Sequence, residues 1–151
     1  MIIAFFGHAQ FFSTEEYERK LLDFLEVAVG DQSADFYLGD YGEFDHFVYN
    51  CCKRYQITHP NVKLVFITPY ITEKYQKNKL EVQKKRYDEM IYPDIEDKPL
   101  KYAISYRNRW MVEQADCVVF GIYHKWGGAY QAYKYAKSRK KELFRLTEIA
   151  P

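Results

Sequence analysis

Cys117-Val118-Val119-Phe120-Gly121 is an apolar run closed by glycine. After a loop to Trp126, the pair Gly127-Gly128 opens a stretch in which Ala129, Ala132, Tyr133 and Ala136 recur at helical spacing. A run without polar alternation suits a strand covered on both faces. A glycine pair between such a strand and a helix leaves backbone N–H groups, and the positive end of the helix dipole, open to an anion. Glycine also lets a ligand approach the backbone closely. This order predicts an α/β fold of the Rossmann kind, with a phosphate-bearing ligand held at Gly127, Gly128 and Ala129.

The chain on either side repeats the alternation. Ile2 to Phe6 is a second continuous apolar run, ended by Gly7, and Ser13-Thr14-Glu15-Glu16 has capping-box spacing ahead of Tyr17, Leu21, Phe24, Leu25 and Ala28. Phe36-Tyr37-Leu38 predicts a short strand, Phe44, Phe47, Val48, Cys51 and Tyr55 the stripe of a second helix, and Val62 to Ile67 a third strand closed by Thr68-Pro69. Residues 70–100 are the least regular, with a Lys-rich helical stretch, a strand-like Met90-Ile91-Tyr92 and a Pro93 to Pro99 loop; they are expected to form a lid or insertion. From Tyr102 a helix presents Ile104, Asn108, Met111, Val112 and Ala115 on one face, and Leu143 to Leu146 closes the sheet.

Alternating strands and helices imply parallel pairing through right-handed crossovers. The expected fold is therefore a three-layer α/β/α, Rossmann-like, doubly wound and mainly parallel sheet of five to six strands, with residues 1–151 as one domain. Ligands of such folds sit beyond the carboxyl ends of the strands, where the crossovers diverge. The loops there bring together Gly7 and His8, then Gly39, Asp40, Gly42 and Phe44, then Thr68, and then Gly121. Glu43 and Asp45 are candidate carboxylates for ribose hydroxyls, or first-turn acids that favour the helix dipole. Arg107 would suit phosphate through its planar fork of donors, with Asn108 beside it, whereas Arg109 and Trp110 read as surface and packing.

Bulk properties narrow the classes. The apolar runs span five to seven residues, well short of the roughly 20 that cross a bilayer, so no membrane is expected as a partner. The N-terminus lacks a basic region followed by a cleavage site, which predicts a cytoplasmic protein. Cys51, Cys52 and Cys117 have no metal-ligand spacing, so they are read as reduced thiols, with no metal and no cofactor. Twenty-two basic and 21 acidic residues leave a net charge of +1, which argues against nucleic acid as a partner. Fifteen Tyr and 11 Phe exceed the needs of one small core and point to surfaces that bind rings or further subunits.

The stretch Arg107-Asn108-Arg109-Trp110-Met111-Val112-Glu113-Gln114-Ala115-Asp116, followed by Cys117 to Phe120 and Gly127-Gly128, resembles the SLOG superfamily of Rossmann-like domains. Its Lonely-guy phosphoribohydrolases carry Arg-Lys-x-x-Met, then Ala-Asp, a strand and Pro-Gly-Gly-x-Gly-Thr-x-x-Glu. Arg107, Met111, Ala115, Asp116, Gly127 and Gly128 match that pattern. Gly39 to Asp45 resembles the Gly-x-x-x-Gly-Phe-Asp turn of other members, with Glu43 interposed. Asn108 stands where Lys is usual, and Ala129-Tyr130-Gln131-Ala132-Tyr133 lacks the catalytic Glu. The resemblance therefore implies a domain that binds a nucleotide or nucleotide-derived small molecule, as a sensor or sequestering module, and that forms a homo-oligomer. Two alternatives stay open: a nucleoside 5'-monophosphate N-glycosidase using Glu43 or Asp45, and a protein-interaction domain with a vestigial site.

Overall fold

Ile2 to Phe6 is uniformly apolar because it becomes one of the two central strands of the sheet. In a computed structural model, which describes residues 1–70 and 79–151, this segment is β1 (Ile2–Gly7), with neighbours on both sides and helices over both faces. It leads through α1 (Glu15–Val29) to β2 (Ala34–Leu38), α2 (Glu43–Thr58) and β3 (Val62–Ile67). Then come α3 (Glu81–Arg86), β4 (Glu89–Ile91), α4 (Ala103–Gln114), β5 (Cys117–Gly121), α5 (Gly128–Ser138) and β6 (Glu142–Arg145). The strands form one sheet in the order β4-β3-β2-β1-β5-β6, every pair parallel.

The direction of winding reverses at β1, where Ile3 pairs with Phe36 of β2 on one side and Cys117 of β5 on the other. Side chains alternate across a strand, and this divides the core in two. Ile3 and Phe5 pack with Leu21, Leu25, Phe44 and Val48 of α1 and α2, whereas Ala4 and Phe6 pack with Met111, Val112, Ala132 and Tyr133 of α4 and α5. The fold is thus the expected three-layer, doubly wound, Rossmann-like α/β domain, here with six strands.

Two local details differ from the sequence reading. The cap of α1 is Thr14 rather than Ser13: its extended backbone turns the hydroxyl to accept from the Tyr17 N–H at 3.0 Å. In α4 the inward stripe is Ala103, Arg107, Asn108, Met111 and Val112, and Ile104 is exposed. Consecutive helical residues point about 100° apart, so with Ala103 buried Ile104 lies at the edge of the inward face. The Lys-rich stretch containing Lys74 and Lys77 falls partly outside the described residues, while β4, which follows α3, extends the sheet at one edge. No helix among the described residues is long and apolar enough to cross a membrane.

Candidate functional site

Beyond the carboxyl ends of β1, β2 and β5 lies a cleft of about 560 Å³ lined by Gly7, His8, Tyr41, Asp45, Arg107 and Gly128, among others. It sits beside the winding reversal, where the loops after β1 and β5 separate to opposite faces. Thr68 is not on its walls: its N–H donates to the Ile91 carbonyl and its hydroxyl to the Tyr70 carbonyl, and it borders a different hollow with Tyr87 and Met90.

Beneath the cleft is a buried polar cluster. Arg107 is 5% exposed, and its guanidinium donates to the Ile67 carbonyl at 3.2 Å and to Asn108 Oδ1 at 2.7 and 3.1 Å. The same cation lies 5.1 Å from the centre of the Tyr41 ring. Asp45 Oδ2 accepts the Tyr41 N–H at 3.0 Å; burial pushes this carboxyl up to about 6, against the pull of Arg107. Gly39 admits both partners, since a Cβ there would lie 2.9 Å from Asp45 Oδ2 and 3.0 Å from Arg107 Nη1. Arg107 and Asn108 therefore spend donors and acceptor on each other and on the backbone beneath the site.

Other expected ligand contacts have packing partners. Phe44 is fully buried, and a Cβ on either Gly7 or Gly121 would run into its ring. Asp40 accepts from Gln83 at 3.1 Å and pairs with Arg86 at 3.6 Å, toward α3 and away from the cleft. The Glu43 carboxylate accepts the Phe11 N–H at 3.0 Å, while the Glu43 N–H donates to the Ala9 carbonyl at 2.8 Å, tying the loop after β1 to the start of α2. Glu43 lines an adjoining hollow with Thr14, His46 and Asn50, whereas Asp45 lines the cleft.

The rim holds the groups that remain open. Gly127 takes φ 93°, a backbone region that favours glycine, and α5 begins with no side-chain cap. The first intrahelical bond runs from the Gln131 N–H to the Gly127 carbonyl, so the N–H groups of Gly128, Ala129 and Tyr130 have no acceptor within the helix. A Cβ at Gly127 or Gly128 would have nothing within 4 Å, so neither glycine is there to admit a protein neighbour.

Beside this helix end rises a column of three aromatic rings. His8 stacks on His124 with centroids 3.6 Å apart, and His124 stacks on Trp126, also at 3.6 Å. The His124 N–H donates to His8 Nε2 at 3.4 Å, which requires that nitrogen to be unprotonated. Burial, with the charge of His124 second, lowers His8 to about 4, so the base of the column is neutral at physiological pH. Its top is Trp126, 67% exposed. Sequence reasoning gave His8 a place here and missed His124 and Trp126. The signal that could have found them was their i, i+2 spacing directly before the glycine pair.

No family model matches the sequence, nor does any of the curated proteins. Among solved structures the chain is similar to DNA processing protein A of Helicobacter pylori, with a TM-score of 0.62, 16% identity, and 96% of this chain against 64% of that one covered. It is similar also to DNA processing protein A of Streptococcus pneumoniae, with a TM-score of 0.62, 13% identity and coverages of 95% and 49%. This chain thus spans about two thirds and one half of their lengths. The Helicobacter pylori structure is described by its unique single-stranded DNA binding mode. That finding overturns two expectations, that the ligand is a small nucleotide-like molecule and that nucleic acid is not a partner. The physical reason is that net charge averages over the whole surface, whereas a strand is held by local stacking and local cations. At these identities the likeness carries the architecture alone: this chain has a Rossmann-like fold similar to that of DNA processing protein A.

Proposed function

We propose that this chain binds single-stranded DNA across the cleft, with one base stacked on the outer face of Trp126 and a neighbouring phosphate at the N–H groups of Gly128 and Ala129. The observation that carries this reading is the His8–His124–Trp126 column, which ends on an exposed indole beside an uncapped helix start. Every base has a π-face, so such a platform accepts a strand without reading its sequence. An open helix start accepts a phosphate without a side chain. Duplex DNA keeps its bases paired and stacked and cannot offer one to Trp126. The likeness in fold to proteins that include a binder of single-stranded DNA supports the same conclusion. In this reading residues 1–151 are one SLOG domain, with the segment near 70–100 as its insertion.

The test is fluorescence anisotropy of a labelled thymidine oligomer, with its duplex as competitor. Wild-type protein is expected to bind the single strand and to prefer it over the duplex. Because base–aromatic stacking contributes about 1–3 kcal/mol, Trp126→Ala should weaken binding roughly 5- to 150-fold. A wild-type protein that binds no single strand, or a Trp126→Ala variant of unchanged affinity, would refute the proposal.

A further inference from the structure

Next to the cleft runs a second depression, a groove of about 580 Å³ between α4 and α5. It is continuous with the cleft, because Ile104, Asn108 and Gly128 line both. Lys101 and Arg109 stand on one bank and Lys134 on the other, with the hydroxyls of Ser105 and Ser138 and the amide of Gln131 between them. Among the described residues no Asp or Glu lines it. All three cations are exposed, and among the described residues none is in an ion pair. Each instead lies by a ring: Lys101 is 5.0 Å from the Tyr102 centroid, Lys134 5.5 Å from Tyr130, and Arg109 5.5 Å from Tyr135.

In a chain with a net charge of +1, a groove with three cations and no described anion on its walls is a local excess of one sign. We infer that this groove is the track of the DNA backbone: a strand anchored at Trp126 continues between α4 and α5, its phosphates facing Lys101, Arg109 and Lys134. This rests on the proposed binding of single-stranded DNA and adds the direction in which the strand leaves the cleft. The chemistry recognised is a run of phosphodiesters, with Ser105, Gln131 and Ser138 as further donors to their oxygens. The groove is lined more by donors and cations than by exposed rings, so it holds backbone while the cleft holds the base.

The test compares a thymidine trimer with a thymidine dodecamer, on wild-type protein and on the triple variant Lys101→Gln, Arg109→Gln, Lys134→Gln. A control variant, Arg19→Gln, Lys53→Gln, Lys85→Gln, carries the same change of net charge on residues outside both cleft and groove. Removing one cation that neutralises a phosphate lowers the slope of log affinity against log salt by about 0.7 for a single strand. The groove variant is therefore expected to show a slope shallower by roughly 2 on the dodecamer, with affinity weaker by about 10- to 100-fold at moderate salt. It should bind the trimer nearly as wild type does, and the control should match wild type on both. If wild-type protein binds neither oligomer, the underlying function is wrong and the track falls with it. If it binds both and the groove and control variants weaken equally, or neither weakens, the cleft reading survives and the track is refuted. Circular dichroism of the variants separates loss of binding from loss of fold.

Discussion

Gly128 shows how much one residue says about a site. A Cβ there would meet no neighbouring protein atom within 4 Å, so the glycine is not needed to admit a packed neighbour and leaves the helix end open to approach. Gly128→Leu should therefore leave the thermal unfolding midpoint within a few degrees of wild type while blocking the N–H groups of α5. Under the proposed function its affinity for a thymidine oligomer should fall at least tenfold, by about 1.4 kcal/mol. Equal affinity would remove the helix start from the binding surface. Gly127-Gly128 was legible in the sequence because turn chemistry is local and glycine punctuates it. His8 and His124 were not legible as partners, since 116 residues separate them and only the β1–β5 pairing brings their loops together.

At the level of elements, Phe44 holds α2 against the ends of β1 and β5. Removing its ring should destabilise the domain by roughly 3–5 kcal/mol, the range for a buried Phe→Ala. Gly7→Ala should cost about 1–3 kcal/mol, because the new methyl displaces that ring. Combining the two should cost much less than their sum, since the methyl then occupies space the ring has left. Urea unfolding of the two single variants and the double variant measures this coupling; strict additivity would show that Gly7 is required for another reason. The strands were readable because continuous apolar runs leave few alternatives, and most boundaries lie within one or two residues of their expected places. The role of Phe44 was not. A glycine that makes room for a ring and one that makes room for a ligand leave the same mark in a sequence, and only the packing tells them apart.

Across the whole molecule, two buried groups set opposing trends with pH. His8 titrates at about 4 in the fold against an ordinary 6.5, so its contribution is complete above pH 6.5 and is lost as pH falls toward 4. Asp45 is raised to about 6 from 3.8, so its contribution is complete below 3.8 and is lost as pH rises through 6. Between 4 and 6 the two largely offset each other. His8→Phe keeps a ring in the column and removes one side of the balance. Relative to wild type, it should gain about 2 kcal/mol on going from about pH 7 to pH 5, measured by chemical denaturation at each pH. A constant difference between the two proteins would show that His8 is not held neutral. The net charge, by contrast, describes no single face, because it sums the first-turn acids of α1 and α2 with the cations beside α4 and α5. The order of the strands has one more consequence, for the time course of folding. β1 occupies the middle of the sheet, yet Ile3 must wait for Cys117, which follows it by more than a hundred residues. A ribosome delivering this chain from its N-terminus presents β1, β2 and β3 long before the strand that covers the free edge of β1. Contacts so distant in sequence close slowly. The half-made sheet, with its apolar edge bare, is therefore the species most exposed to aggregation, and the one a chaperone would have to shelter.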